Sequence, residues 1–165
     1  IHVYCTPMDG LNNNYRRVCR IRIVKEIILN QSQLDTLTDH AMKSGQDESC
    51  AMLLGIQKEE QWNVKEIFLT KNVDGKPEVE FTISPEELLA GYKHAEEEHL
   101  ELVGIFHSHP KSIALPSNTD RKFMGLNGDV PWIIFSGLTT DFKAFILDED
   151  VEEIKIRIIE RHFFQ

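Results

Sequence analysis

Apolar and polar residues alternate along several stretches with the two-residue period of a half-buried strand. The first is Val18 to Leu29, where basic and apolar side chains alternate through Arg20-Ile21-Arg22-Ile23. Further apolar runs bounded by polar or turn residues predict strands over 51–56, 64–69, 79–83, 102–109, 131–137, 142–147 and 152–159. We expect the turn Asp74-Gly75-Lys76-Pro77 to join the strands at 64–69 and 79–83.

Two other stretches have helical spacing of their apolar residues. The first predicts a helix over residues 31–44. Ser84-Pro85-Glu86-Glu87 is typical of a capping box with proline at the first helical position, and it predicts a helix to about His99. A third, short helix is expected after Ser117. Together these elements predict a single α/β domain with a mixed, largely antiparallel sheet flanked by helices.

The length of the chain agrees with one domain. A chain of 165 residues can bury one good core, which we expect within residues 18–165. Residues 1–17 predict an irregular segment, whose origin as a processed end, an expression remnant or a flexible arm stays open. There is no apolar run of the 18 or more residues that a membrane span needs, so we expect a soluble protein without a membrane partner.

Charge and cysteine content narrow the function classes. The net charge of −9 argues against nucleic-acid binding, which needs clustered Lys and Arg, and suits a basic protein partner better. The three cysteines, an odd number without Cys-x-x-Cys spacing, indicate neither a disulfide scaffold nor a second zinc site, and a reducing cytoplasm is the simplest location. Of these, Cys50 is either an ordinary buried thiol or a neighbour of the metal site described next.

The segment richest in candidate functional residues begins with His107 and His109. Side chains two apart on a strand point the same way, so the two imidazoles can converge on one ion while Ser108 faces away. After a loop, Asp120 can supply a third ligand. Two imidazoles and one carboxylate match a catalytic zinc site with a fourth position open to water. The alternative is that Ser117 to Asp120 forms only a helix capping box.

A zinc hydrolase also needs a general base outside the metal ligands. Glu48 is the candidate, because it stands where a polar turn meets a short apolar strand. Partial desolvation there would raise its pKa toward neutrality. By composition alone, Asp47, Glu59 and Glu60 are equally possible carboxylates.

The combined residues resemble the JAMM (MPN-plus) zinc metalloproteases. That family's motif is a distant Glu followed by His-x-His, seven residues, Ser, two residues and Asp. Here it is matched without a change of spacing by Glu48, His107-Ser108-His109, Ser117 and Asp120. The resemblance spans about residues 20 to 160, and it implies a fold related to that of cytidine deaminases.

The resemblance also implies a role for each residue. His107, His109 and Asp120 would bind one zinc ion per chain, with a catalytic water as the fourth ligand. Glu48 would take a proton from that water and deliver it to the leaving amine, and Ser117 would stabilise the tetrahedral oxyanion.

The implied reaction is hydrolysis of the isopeptide bond between the C-terminal glycine of a ubiquitin-like protein and a lysine amine. The implied partners are ubiquitin or ubiquitin-like proteins and their conjugates, and a larger proteolytic complex. The chain looks most like a compact prokaryotic or archaeal member. Two alternatives remain: a peptidase that processes a sulfur-carrier protein, and a catalytically silent scaffold of the same fold.

Other chemistries that use His-x-His fit the residues less well. The metallo-β-lactamase pattern would require Asp and His where Lys111 and Ser112 stand. Barrel amidohydrolases need roughly 250 residues. The nucleoside-deaminase signature, His-x-Glu followed by Pro-Cys-x-x-Cys, is absent from the sequence.

Overall fold

The computed structural model describes residues 2–4, 20–22 and 24–160. Its strands are β1 (His2–Tyr4), β2 (Arg20–Arg22), β3 (Glu26–Asn30), β4 (Cys50–Lys58), β5 (Gln61–Thr70), β6 (Glu101–His109), β7 (Trp132–Ser136), β8 (Phe142–Leu147) and β9 (Val151–Ile159). Its helices are α1 (Gln31–Ser44), α2 (Pro85–Glu97) and α3 (Asn118–Met124). No helix in these described ranges is long and apolar enough to cross a membrane.

Seven strands form a closed barrel in the order β3-β5-β4-β6-β7-β8-β9. Strand β3 closes it by pairing in parallel with both β5 and β9. Four of the seven pairings are antiparallel and three are parallel, which confirms a mixed sheet. The predicted sheet flanked by helices is instead a closed barrel, because β3, near the start of the described domain, pairs with β9 at its end. Strands β1 and β2 form a separate antiparallel pair.

Strand β4 is buried on both faces, which explains its uninterrupted apolar run. Ala51 and Leu53 belong to the main core cluster, to which α1 also contributes. Met52 and Leu54 point the other way and pack in a cluster that includes Ala95 of α2. Because both faces are covered, this strand and its neighbour β6 are held rigidly in the sheet.

The apolar run of β4 passes through a bulge at its glycine. The register with β5 and β6 shifts next to Leu54, and a Cβ at Gly55 would lie 1.9 Å from the carbonyl oxygen of Asn63. A side chain therefore does not fit at Gly55. The close approach of the two backbones explains why glycine stands here.

Most predicted elements are confirmed to within one to three residues, but the first strand is divided. Val18 to Leu29 was expected to be continuous, whereas β2 and β3 are separate strands in different sheets. Residues 18, 19 and 23 lie outside the described residues. Of the segment 1–17, the structure describes only the strand β1.

The predicted strand Val79–Ile83 is wrong. These residues form an irregular loop whose backbone partners are not a neighbouring strand. The side chain of Asn72 takes their place: it accepts from the N–H of Thr82 and donates to the carbonyl of Glu80. The alternating pattern arises instead because Phe81 and Ile83 pack against separate apolar clusters.

Helix α2 begins as predicted but without a full capping box. Ser84 is the N-cap, accepts from the N–H of Glu87 and is followed by Pro85. Instead of reaching back to the N–H of Ser84, the carboxylate of Glu87 accepts from the N–H of Lys71. Its two oxygens lie 3.0 and 3.3 Å from that nitrogen. It therefore ties the start of α2 to the end of β5.

Candidate metal centre

The two histidines converge at the end of β6 as their spacing predicts. The Nε2 atoms of His107 and His109 lie 3.0 Å apart, and both rings are buried. Ser108 points to the opposite face, where its hydroxyl bonds to Ser49. The backbone geometry of the strand is thus sufficient to direct two ring nitrogens at one point.

Asp120 completes this cluster from the first turn of α3. Its Oδ1 lies 3.3 Å from Nε2 of His107, and its Oδ2 lies 3.3 Å from Nε2 of His109. Ligand atoms about 3.3 Å apart are what a tetrahedral zinc site with bonds of about 2.0 to 2.1 Å requires. The two imidazoles and the carboxylate therefore fit a metal ion.

The capping box is also present, and it is what positions the carboxylate. Ser117 is the N-cap of α3 and accepts from the N–H of Asp120 at 3.1 Å. In return, Oδ2 of Asp120 accepts from the N–H of Ser117 at 2.7 Å. The two interpretations of this segment are compatible, because the carboxylate that closes the box also faces the histidines.

Glu48 lies beside the histidines but farther than Asp120 does. The antiparallel register pairs Cys50 with His107, which brings the buried Glu48 alongside His109. Its Oε1 lies 3.9 Å from Nε2 of His109, and it forms a group with both histidines within 4.8 Å. By distance alone, Glu48 is also a candidate ligand. The oxygens of Asp120 lie closer to the histidine nitrogens, which favours Asp120 as the ligand and Glu48 as its neighbour.

The competing carboxylates lie away from this cluster. Glu59 and Glu60 form the turn between β4 and β5, at the end of β4 opposite to Cys50. Asp47 lies in the turn after α1, where its N–H donates to the carbonyl of Ser44. Among the four carboxylates considered from the sequence, Glu48 is the buried one.

Burial and neighbouring charge separate the protonation behaviour of the two acidic residues. Burial, with a smaller contribution from the charge of Asp120, raises the pKa of Glu48 to about 7. Burial also acts to raise the pKa of Asp120, but the bonds from His107 and His109 outweigh it and hold that pKa well below its usual range. Asp120 is thus ionised, as a metal ligand must be, while Glu48 is poised to exchange a proton near neutrality.

The histidine rings are oriented by different means. Nδ1 of His109 lies 3.0 Å from the carbonyl oxygen of Ile113, which makes Nδ1 the donor and turns Nε2 toward Asp120 and His107. His107 is stacked on Phe81, with ring centroids 4.7 Å apart, and meets Trp132 edge-on at 5.6 Å. Sequence reasoning missed Phe81, because it lies in the loop that was predicted to be a strand.

The histidine pKa values shift in opposite directions. Burial lowers the pKa of His107 and favours the neutral ring that binds metals. For His109, burial also acts to lower the pKa, but hydrogen bonds to Asp120 and to the Ile113 carbonyl outweigh it and raise the pKa.

Cys50 is an ordinary buried thiol. Its Sγ accepts a hydrogen bond from the hydroxyl of Thr70 at 3.3 Å, and burial raises its pKa to about 11. Among the described residues, the group whose ligand atoms lie within 4.8 Å of one another contains Glu48, His107 and His109 and does not include Cys50. Cys5 and Cys19 lie outside the described residues.

The chain is similar to a protein family and to proteins of known name. A family model described as prokaryotic homologs of the JAB domain matches residues 30–148. A desampylase of Pyrococcus furiosus is 38% identical over 117 residues, covering 70% of this chain and 79% of that protein. A probable TtuB-protein conjugate cleaving protease of Thermus thermophilus is 32% identical over 119 residues, covering 72% of this chain and 74% of that protein.

A solved structure has the same fold. The solution structure of a protein from Desulfitobacterium hafniense superposes with a TM-score of 0.74 at 26% identity, covering 82% of this chain and 94% of that chain. The chain belongs to the prokaryotic JAB family. Its predicted membership of the JAB/MPN group and its prediction as a hydrolase are thereby confirmed.

Proposed function

We propose that the chain is a zinc-dependent isopeptidase that hydrolyses the bond between the C-terminal glycine of a ubiquitin-like protein and a lysine amine. The observation that carries this proposal is that two buried carboxylates lie at different distances from the histidines. Asp120 is 3.3 Å from both histidine Nε2 atoms, and Glu48 is 3.9 Å from one of them. This division suits one ligand and one base. Two similar proteins, a desampylase and a probable TtuB-protein conjugate cleaving protease, support the substrate class.

In this proposal, His107, His109 and Asp120 hold the zinc ion. When bound, zinc lowers the pKa of water from about 15.7 toward 7 and polarises the scissile carbonyl. The neutral His107, the Nδ1 donor bond of His109 and the ionised Asp120 are the states that zinc binding needs. The chain thus supplies the three ligands without prior loss of a proton from Asp120.

Glu48 acts as the general base. A carboxylate with a pKa of about 7 can accept a proton from the attacking water and release it again to the departing lysine amine. Its burial keeps competing solvent away from the transferred proton. A surface glutamate with an ordinary pKa would be too weak a base to do both steps equally well.

Ser117 stabilises the oxyanion of the tetrahedral intermediate. Its Oγ accepts the N–H of Asp120, and this bond fixes the oxygen while leaving the hydroxyl hydrogen free to donate. A donor aimed at a developing oxyanion contributes about 2.7 to 4 kcal/mol to transition-state stability. The capping bond therefore prepares Ser117 for this role.

The two alternatives differ in testable ways. Processing of a sulfur-carrier protein would use the same residues on a different leaving group. A silent scaffold does not use Glu48. Because burying a carboxylate costs stability, the buried Glu48 counts against this alternative. Membership of a larger proteolytic complex and a cytoplasmic location stay predictions.

The test removes and restores the metal. The chain is treated with a chelator, zinc is added back to one equivalent, and two substrates are compared: a ubiquitin-like protein joined to a lysine side chain, and the same protein with a linear peptide after its terminal glycine. We expect cleavage of the lysine-linked substrate to stop without zinc and to return with it. Preference for the linear substrate would favour the processing alternative, and no cleavage of either by a zinc-loaded chain would favour the scaffold.

A further inference from the structure

The side chain of Asn72, two residues after the end of β5, bonds to several main-chain groups of one loop. Its Nδ2 donates to the carbonyl of Glu80 at 2.9 Å and, more weakly, to that of Pro77 at 3.4 Å. Its Oδ1 accepts from the N–H groups of Asp74 at 3.0 Å and Thr82 at 3.1 Å. These bonds fold residues 72–82, the Asn72 loop, around a single carboxamide.

The same carboxamide reaches the main chain of Glu48. Nδ2 of Asn72 lies 3.0 Å from the carbonyl oxygen of Glu48, to which it donates. On the other side of this residue, the N–H of Glu48 donates to the carbonyl of Pro77 at 2.7 Å. Both peptide groups of Glu48 are thus anchored to the Asn72 loop, just before β4 begins.

We propose that Asn72 is a positioning residue for Glu48: through the Glu48 main chain it holds the carboxylate beside the histidine pair. This inference rests on the proposed function, in which Glu48 is the base. A base acts only within hydrogen-bond reach of the proton that it moves, so the position of its backbone matters to the rate. Asn72 is separated in the sequence from the histidines and from Asp120, and it acts through Glu48 alone.

The choice of asparagine follows from the contacts. The site presents carbonyl oxygens of Glu48, Glu80 and Pro77 on one side and two N–H groups on the other. An amide satisfies both sides, whereas aspartate of the same shape has no hydrogen to donate to the carbonyls. Alanine would leave both sides without their partner.

A second route from the loop to the site must be separated from this one. Phe81 belongs to the Asn72 loop and stacks on His107. If Asn72 acted through Phe81, its loss would weaken metal binding. If it acts through Glu48, its loss lowers turnover while zinc stays bound.

The test compares zinc-loaded Asn72→Ala and Asn72→Asp with Thr82→Val. Thr82→Val removes the exposed bond from the Thr82 hydroxyl to Asp74 but leaves the contact between Asn72 and Glu48 intact. The measurements are kcat and KM on a lysine-linked ubiquitin-like conjugate, zinc content, and Tm as a check of folding. Asn72→Asp retains the acceptor for the two N–H groups, so it serves if the alanine variant is unfolded.

We expect kcat to fall about ten- to a hundredfold in both Asn72 variants, with KM within about twofold of wild type and zinc still stoichiometric. Thr82→Val should keep kcat within about twofold. The double variant Glu48→Gln with Asn72→Ala, followed in long single-turnover incubations, should be no slower than Glu48→Gln alone.

An unchanged kcat in the Asn72 variants, or loss of their zinc, would overturn the proposal. So would an equal fall in the kcat of Thr82→Val, or a fall confined to the aspartate variant while the alanine variant is folded and active. A further fall in the cleavage rate of the double variant would also overturn it. Failure of the proposed function is distinguishable, because Glu48→Gln alone would then retain full activity.

Discussion

Ser108 and Ser49 join the histidine strand to the segment that carries Glu48. Their hydroxyl oxygens lie 2.9 Å apart, and the N–H of Ser49 donates to Oγ of Ser108 at 2.8 Å. Both residues are buried on the face opposite to the metal centre. The residue between the two candidate ligands is thus bonded to the residue next to the candidate base.

This contact predicts a cost in stability for Ser108→Ala. The substitution leaves the buried N–H of Ser49 without its acceptor, so the free energy of unfolding should fall by about 1 to 3 kcal/mol. Turnover should fall as well, because the Glu48 segment loses its side-chain bonds to β6 and keeps there only the backbone bond from the N–H of Ser108 to the carbonyl of Ser49. Urea unfolding and steady-state rates measure both, with the exposed Ser112→Ala as control. An unchanged midpoint in urea would show that this bond is not needed.

The capping and catalytic roles of Ser117 are separable. Ser117→Ala should lower the free energy of unfolding by only about 1 kcal/mol, as expected for an N-cap, but lower kcat by about 10²- to 10³-fold through loss of the oxyanion donor. Ser117→Thr retains a hydroxyl and should recover most of the rate.

The matched control for Ser117 is Ser84→Ala, which removes the N-cap of α2. It should lose a similar free energy of unfolding and keep its kcat. Equal, small effects of the two substitutions on kcat would mean that Ser117 only caps its helix.

The pKa of Glu48 predicts a pH-dependent cost in the metal-free protein. Its native pKa of about 7 lies above the ordinary value of 4.5, so between these pH values the unfolded chain loses the proton first. The native state therefore loses stability as pH rises through this window, by up to about 3 kcal/mol for this group. Relative to wild type, Glu48→Gln should become more stable by this amount between pH 4 and pH 8.

Urea unfolding in the presence of a chelator measures this effect. Glu97→Gln, on the exposed surface of α2, is the control and should follow the wild-type pH dependence. The prediction is wrong if the difference between wild type and Glu48→Gln stays constant with pH.

The stacking of Phe81 on His107 predicts weaker metal binding in Phe81→Ala. The ring of His107 has no hydrogen bond at Nδ1 from any residue in the described part of the chain, so aromatic packing supports this side of the ring in place of a hydrogen-bonding partner. Loss of the hydrogen-bonding partner of a metal-binding histidine typically lowers metal affinity by about 10- to 100-fold, and we expect a loss of that order in Phe81→Ala. Competition with a zinc chelator measures the dissociation constant, and the half-exposed Phe123→Ala is the control. Equal affinities in the two variants would refute this role.

Local patterns predicted most strands and helices, because apolar periodicity reports which face is buried. They did not predict closure of the barrel, because the pairing of β3 with β9 joins residues far apart in the sequence. The loop at 79–83 was mistaken for a strand because its apolar residues alternate, while its backbone bonds to the Asn72 side chain and to main-chain groups of its own loop instead of to a neighbouring strand.

Some residues of the candidate site were easier to predict from the sequence than others. Strand geometry is enough to bring His107 and His109 together, and the helix start places Asp120. No local pattern connects Glu48 to them, because their proximity depends on the antiparallel pairing of β4 with β6. Its place where a polar turn meets an apolar strand made Glu48 a candidate, but the resemblance to the zinc metalloprotease motif was needed to prefer it to Asp47, Glu59 and Glu60.

The most direct test of the account is the rate of isopeptide cleavage by Glu48→Gln with zinc bound. Zinc content is measured together with single-turnover cleavage of a lysine-linked ubiquitin-like conjugate, for wild type, Glu48→Gln and Glu97→Gln. We predict stoichiometric zinc in all three, wild-type rates in Glu97→Gln, and a loss of at least about 10²-fold in Glu48→Gln, as expected when a general base is removed. Full activity of zinc-loaded Glu48→Gln would contradict the account.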